Sequence, residues 1–210
     1  MVTDLDRSNA THRQPRRRQS IRAAATRHAL LAGAQVAFTE AGYAEASIAD
    51  VVARSNASVG SLYHHFDGKA DLFLALFEAF NRIQTERATA GVTAARGHGV
   101  SDPMALFLAG TQAYLCSCWE HRDLARLFLA GGGPDGFDEV VRRRTQDWVA
   151  HNSSLLHAEQ RPNGEALVHT LTTVAATAGR EVARCACAEQ ARKLTQDFLV
   201  LITRLAAPEG

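Results

Sequence analysis

Ser47-Ile-Ala-Asp-Val-Val-Ala-Arg-Ser-Asn-Ala-Ser-Val-Gly-Ser-Leu-Tyr-His-His-Phe66 is the stretch on which the fold turns. Ser47 precedes a short apolar-periodic run, and Asp50 follows it at the spacing of a capping box, so a helix is predicted over Ile48–Arg54 with Ile48, Val51 and Val52 inward. Ser55–Asn56–Ala57–Ser58 breaks that helix. Asn tolerates positive φ better than most residues, and Ser58 is a good N-cap for the next helix. That second helix, Val59–Phe66, is predicted to bury Val59, Leu62 and Phe66. Gly60, Ser61 and His64 then face outward, with Tyr63 on the flank. Two short helices joined by a four-residue turn form a helix-turn-helix, whose second helix is shaped to enter a major groove.

Upstream, Ser20–Ala41 is Ala-rich, and Leu30, Ala34, Ala37 and Phe38 recur on one helical face up to Gly42. Downstream, Asp67–Gly68 separates the recognition helix from a long amphipathic helix predicted over Lys69–Ala90. After a loop at 91–101, helices are predicted at about 103–118, 121–130, 136–158, 165–185 and 188–206. The breaks are Asp102–Pro103, the Gly131–Gly136 loop and Arg161–Pro162–Asn163–Gly164. No alternating strand pattern and no internal repeat occurs. The fold class is all-α, with about nine helices: a disordered basic arm at 1–19, a helix-turn-helix DNA-binding domain at 20–68, and a helical body at 69–210.

The 210 residues carry a net charge of only +1, which selects no partner, but its distribution is uneven. Residues 1–70 hold nine Lys and Arg against six Asp and Glu, an excess of three. Most of it lies around Arg16, Arg17 and Arg18, where a basic arm suits DNA phosphates and equally suits a solubilising tail. No apolar run is long enough to span a membrane and no secretory leader pattern opens the chain, so a cytoplasmic protein is expected. The four cysteines then need form no disulfide. Cys116/Cys118 and Cys185/Cys187 are each two residues apart, which on a helix points them about 200° from one another and disfavours chelation. No metal or other cofactor is expected. Gly-x-Ser-x-Gly, P-loop and His-Glu-x-x-His signatures are missing, so no enzyme is expected either.

The run Phe38-Thr-Glu-Ala-Gly-Tyr43, the segment Ser47–Phe66 and Asp67-Gly-Lys69 together resemble the TetR/AcrR family signature over about 50 residues. Asn56 replaces the usual turn glycine and Ala57 the usual valine. The resemblance implies that Ser47 caps the second helix and touches a phosphate. It also implies that Ser58, Gly60, Ser61 and His64 meet DNA, that Tyr63 contacts the backbone, and that Lys69 joins a helix N-terminus in attracting a phosphate. It further implies a homodimer on a palindromic operator and a body that binds a small effector.

Leu167, Leu171 and Val174 with Leu194, Phe198 and Leu201 give apolar stripes on the last two helices, which fit a dimer face or the core of one subunit. The effector is expected to be apolar or aromatic, with Phe107, Tyr114 and Trp148 as the candidate contacts. Rival readings are an activator or nucleoid-type protein without an effector, and an enzyme or carrier on a helical bundle. Sequence-independent DNA binding marks the nucleoid type; turnover, or ligand binding without DNA affinity, marks the bundle.

Overall fold

The computed structural model describes residues 8–129 and 131–206, with side chains from Ser20 onward. Among them are nine α-helices and no strand: α1 Ser8–Glu45, α2 Ile48–Ser55, α3 Val59–His65, α4 Lys69–Gly97, α5 Pro103–Glu120, α6 Arg122–Leu129, α7 Phe137–Leu156, α8 Gly164–Arg184 and α9 Ala188–Leu205. A 3₁₀ turn, Ala158–Gln160, comes after α7. The chain divides into two compact units, Met1–Leu76 and Phe77–Gly210, so α4 begins in one and ends in the other.

The N-terminal unit is built on the apolar face of α1. Leu30, Ala34, Ala37 and Phe38 are all buried, together with Val51 of α2, Leu62 of α3, Phe66, and Leu72 and Phe73 of α4. Phe73 meets Phe38 edge-on at 5.3 Å and Tyr43 at 4.9 Å. Gly42, at φ 77° and ψ 170°, breaks α1 before its last residues, a left-handed φ open to glycine at low cost. Gly33 has a different purpose. A Cβ there would lie 2.7 Å from the Val51 carbonyl oxygen and 2.9 Å from Ser55 Cβ, so its bare backbone lets α1 and α2 cross closely.

Two sequence-based boundaries move. Residues 8–19, expected within a disordered arm, continue α1 as helix. Arg, Gln and Ala are good helix formers, and extending an anchored helix avoids the cost of nucleating a new one. The side chains of Arg16, Arg17 and Arg18 lie outside the described residues. Helix α4 runs on to Gly97, through the expected loop at Gly91. A Cβ on Gly91 would sit 2.7 Å from the Ala109 carbonyl oxygen and 2.8 Å from Ala113 Cβ, so this glycine is a close α4–α5 contact and not a break.

In the C-terminal unit Phe77, Phe80, Phe128 and Phe137 form a cluster with ring centroids 4.9 to 6.3 Å apart. A second core joins Phe107, Leu156, Val168, Leu171 and Ile202, and a third joins Leu115, Ala178, Val182 and Ala191. Asn163 in the left-handed conformation turns the chain into α8. Gly164 comes next, where a Cβ would collide with the Ala158 carbonyl oxygen. Gly164→Ala is therefore expected to cost about 1–3 kcal/mol by forcing the 3₁₀ turn off α8. Chemical denaturation would read this as a lower midpoint at constant slope.

The apolar stripes on α8 and α9 divide unequally. Leu171 is fully buried, and Leu167, Val174, Leu194 and Phe198 pack against the two cores of this unit. Of the six, Leu201 alone is exposed, and Val200 and Leu205 are exposed near it. Of the two readings left open for these stripes, packing within one subunit accounts for five of the six residues. Periodicity marks an apolar face without saying which chain covers it.

Candidate nucleic-acid interface and a cavity in the C-terminal unit

Helix α2 opens with a complete capping box. The Asp50 N–H donates to Ser47 Oγ at 3.1 Å, while the Ser47 N–H and hydroxyl donate to Asp50 Oδ2 at 3.0 and 2.6 Å. These bonds, the hydroxyl's first, hold the Asp50 carboxyl below its ordinary range. Ser47 therefore commits its hydroxyl proton to the cap, the one it would need to donate to a phosphate. The turn then takes the form expected of it: Asn56 is left-handed at φ 57° and Ser58 Oγ accepts from the Ser61 N–H at 3.1 Å. The Ser58 hydroxyl in turn donates to Ser61 Oγ at 3.0 Å, leaving the Ser61 proton free to point outward.

Leu62 and Phe66 anchor α3 from within, and Gly60, Tyr63 and His64 are exposed on its outside, Tyr63 by 57%. Val59 departs from its expected burial. It is 50% exposed, one turn before Tyr63, so the two make an apolar flank to the outer face. A first-turn residue of a seven-residue helix can turn away from a core that Leu62 and Phe66 already fill. Among the described residues nothing demands glycine at position 60. A Cβ there would meet only Ser58 Oγ, at 3.9 Å. Glycine inside a helix is unfavourable by about 0.5–1 kcal/mol relative to alanine, so close approach from outside is the remaining use for it.

Lys69, expected at a phosphate, is engaged within its own unit. Its ammonium donates to the carbonyl oxygens of Tyr43, Ala44 and Ala46 at 2.9, 3.0 and 3.1 Å and stands 4.6 Å from the centre of the Tyr43 ring. All three donors of an ammonium are thereby used. Arg54 is likewise engaged, with Glu40 at 2.6 Å and Asp50 at 3.8 Å. Arg27 stacks over the Phe66 ring at 5.1 Å, at the end of the recognition helix.

Within the C-terminal unit, a cavity of about 90 Å³ brings together the three residues expected as effector contacts, Phe107, Tyr114 and Trp148. Thr111, Asn152 and Thr172 share its wall. Asn152 donates to Thr172 Oγ1 at 3.0 Å, a buried pair twenty residues apart in the chain that no local pattern signals. No residue of this lining is Asp, Glu, Lys or Arg. Burial raises the Tyr114 phenol well above its usual pKa, and the buried Cys118 thiol beside it is pushed up to about 12. Both are neutral at physiological pH, and Cys118 is a poor thiolate source. All four cysteines are free, and among the described residues no cluster of His, Cys, Asp and Glu is arranged to hold a metal ion. No described helix is long and apolar enough to cross a membrane.

Residues 30–76 match the family model for bacterial regulatory proteins of the tetR family. The HTH-type transcriptional regulator CymR of Pseudomonas putida is 43% identical over 75 residues, which is 36% of this chain and 37% of that protein. The match thus spans little more than a third of that relative's length. Beyond it the likeness is one of fold. A TetR-family transcriptional regulator from Pectobacterium atrosepticum superposes with a TM-score of 0.61 at 24% identity, covering 89% of this chain and 94% of that one. A TetR-family regulator from Syntrophomonas wolfei gives 0.69 at 15% identity, over 86% and 94%. The fatty acid degradation regulator FadR of Bacillus halodurans gives 0.66 at 13% identity, over 87% and 99%. Residues 30–76 thus resemble the DNA-binding segment of the tetR family, and the chain as a whole shares the fold of TetR-family structures.

Proposed function

We propose that this protein is a cytoplasmic, homodimeric transcriptional repressor, released from a palindromic operator by a small apolar or aromatic effector. The outer face of α3 carries the reading. Gly60 admits the backbone to a major groove, and Ser61, Tyr63 and His64 present hydrogen-bonding groups there. Val59 offers an apolar contact suited to a thymine methyl group. Ser47 and Ser58 position the two helices through their caps, and Arg16, Arg17 and Arg18 supply phosphate contacts from the basic segment. In a dimer the two recognition helices would occupy successive major grooves about 34 Å apart. Exposed Val200, Leu201 and Leu205 on α9 are apolar area that a second copy would cover. The cavity lined by Phe107, Tyr114 and Trp148 is the effector site, acting through whatever difference in affinity the effector has for the two states of the dimer.

A salt-titrated mobility shift on the DNA upstream of its own gene tests the first half. Specific retardation that weakens as salt rises is expected, and equal retardation of a scrambled duplex would overturn it. Gly60→Ala sharpens the test. The variant is expected to stabilise α3 by about 0.5–1 kcal/mol and yet to weaken operator binding by about tenfold. Unchanged binding would remove α3 from the groove.

A further inference from the structure

Three polar side chains on the wall of the effector cavity are almost wholly buried: Thr111 of α5 at 6% exposure, Asn152 of α7 at 8% and Thr172 of α8 at 6%. Asn152 Nδ2 donates to Thr172 Oγ1 at 3.0 Å. Among the described residues, Asn152 Oδ1 then has no donor, and the Thr172 hydroxyl has no acceptor for its own proton. The Thr111 hydroxyl has no partner among the described residues at all. Other helical threonines, such as Thr85, Thr145 and Thr170, donate to the carbonyl four residues back. Native proteins satisfy most buried polar groups, because one without a partner forfeits its hydration. Thr111 follows Phe107 by four residues and Asn152 follows Trp148 by four, so each shares a helix face with a ring of the same cavity.

The idle groups select a head by hydrogen-bonding type. Two hydroxyl protons can donate and one amide oxygen can accept, which is the complement of a hydroxyl with its one proton and two lone pairs. A carboxylate only accepts, so Asn152 Oδ1 would face it unbonded. Charge points the same way. Burial holds the Tyr114 phenol protonated, outweighing the exposed Arg180, which favours the ionised form and is itself bonded to the Thr177 hydroxyl at 3.4 Å. An anionic head would meet the same burial with no Lys or Arg on the wall, and a cationic one would meet Arg180 with no carboxylate there. His151 is on the wall but exposed, where solvent screens its charge. The adjoining cavity shares Trp148 and His151, and its Arg144 is engaged by Glu78 at 2.6 Å and Asp147 at 3.4 Å. At about 90 Å³ the effector cavity is too small for more than one ring.

We infer that the effector is an uncharged, single-ring phenol-type compound, its ring among Phe107, Tyr114 and Trp148 and its hydroxyl bonded to the idle groups of Thr111, Asn152 and Thr172. This rests on the effector reading of the cavity proposed above. Calorimetric titration of the full chain with phenol, toluene and benzoate at neutral pH separates the contributions of ring, hydroxyl and charge. Phenol is expected to bind about tenfold or more tightly than toluene, which carries a methyl group where phenol has its hydroxyl, and than benzoate. Thr111→Val replaces the idle hydroxyl with a methyl group of similar shape. It is expected to leave Tm unchanged or raised and to remove most of the advantage of phenol over toluene; Thr111→Ala gives the same comparison should the valine variant not fold. Toluene or benzoate binding as tightly as phenol would overturn the inference, as would a full phenol preference surviving in a folded Thr111 variant. So would failure of phenol to bind a protein that still shifts its operator. Phenol binding that leaves operator affinity unchanged would overturn the effector reading while leaving the ligand class in place.

Discussion

Lys69→Met is expected to lower the stability of the N-terminal unit by about 2–3 kcal/mol while leaving the salt dependence of DNA binding unaltered. The ammonium ties the start of α4 to three carbonyls at the end of α1 and its exit, those of Tyr43, Ala44 and Ala46, and sits over the Tyr43 ring. Methionine keeps much of the stem's packing but strands three acceptors, two of them in partly buried contacts. Tyr43 in turn packs on Phe73, which packs on Phe38, so loosening this tie reaches the core beneath the recognition helix. A lysine bound to phosphate would behave differently. Losing one such contact should shallow the slope of log K against log salt by about 0.9, with little effect on melting. Denaturation and salt titration on one variant therefore assign the residue, and a shallower slope with unchanged stability would return Lys69 to the DNA.

This residue also marks the limit of what the sequence could disclose. Signals that act within a few residues were legible. Ser47 with Asp50, Asn56 in the turn and Ser58 before α3 all adopt the geometry their side chains favour. Asp102–Pro103 starts α5, with the carboxylate accepting from the Ala105 N–H at 2.8 Å. The acceptors of Lys69 lie more than twenty residues back in the chain, and no local pattern announces them. Gly33 and Gly91 are ambiguous for a related reason. Glycine within a helical run reads as weakness until a neighbouring helix is seen 2.7 Å from where its Cβ would be. The three aromatic cavity residues were nameable by type, whereas Gln84 looks like an ordinary helix-surface amide until the packing buries it.

Ser61→Glu should separate fold from function most sharply. Ser61 is the third residue of α3, and its N–H already donates to the Ser58 hydroxyl. A glutamate at this position completes a capping box like the one Ser47 and Asp50 form on α2, and it places negative charge at a helix N-terminus, where the dipole favours it. The helix is therefore expected to be as stable as before or slightly more so, with melting temperature unchanged or raised. On DNA the same carboxylate would face phosphates and the acceptor-rich edges of the bases. Like charges brought together at an interface cost several kcal/mol, so operator affinity should fall by about a hundredfold or more. Ser61→Ala, which loses a donor without adding charge, should cost about 1 kcal/mol of binding. Circular dichroism and the mobility shift, measured on both variants, give the comparison. Should the glutamate variant melt as expected and still hold the operator at wild-type affinity, the outer face of α3 does not meet the groove, and Tyr63 and His64 lose their assigned contacts with it.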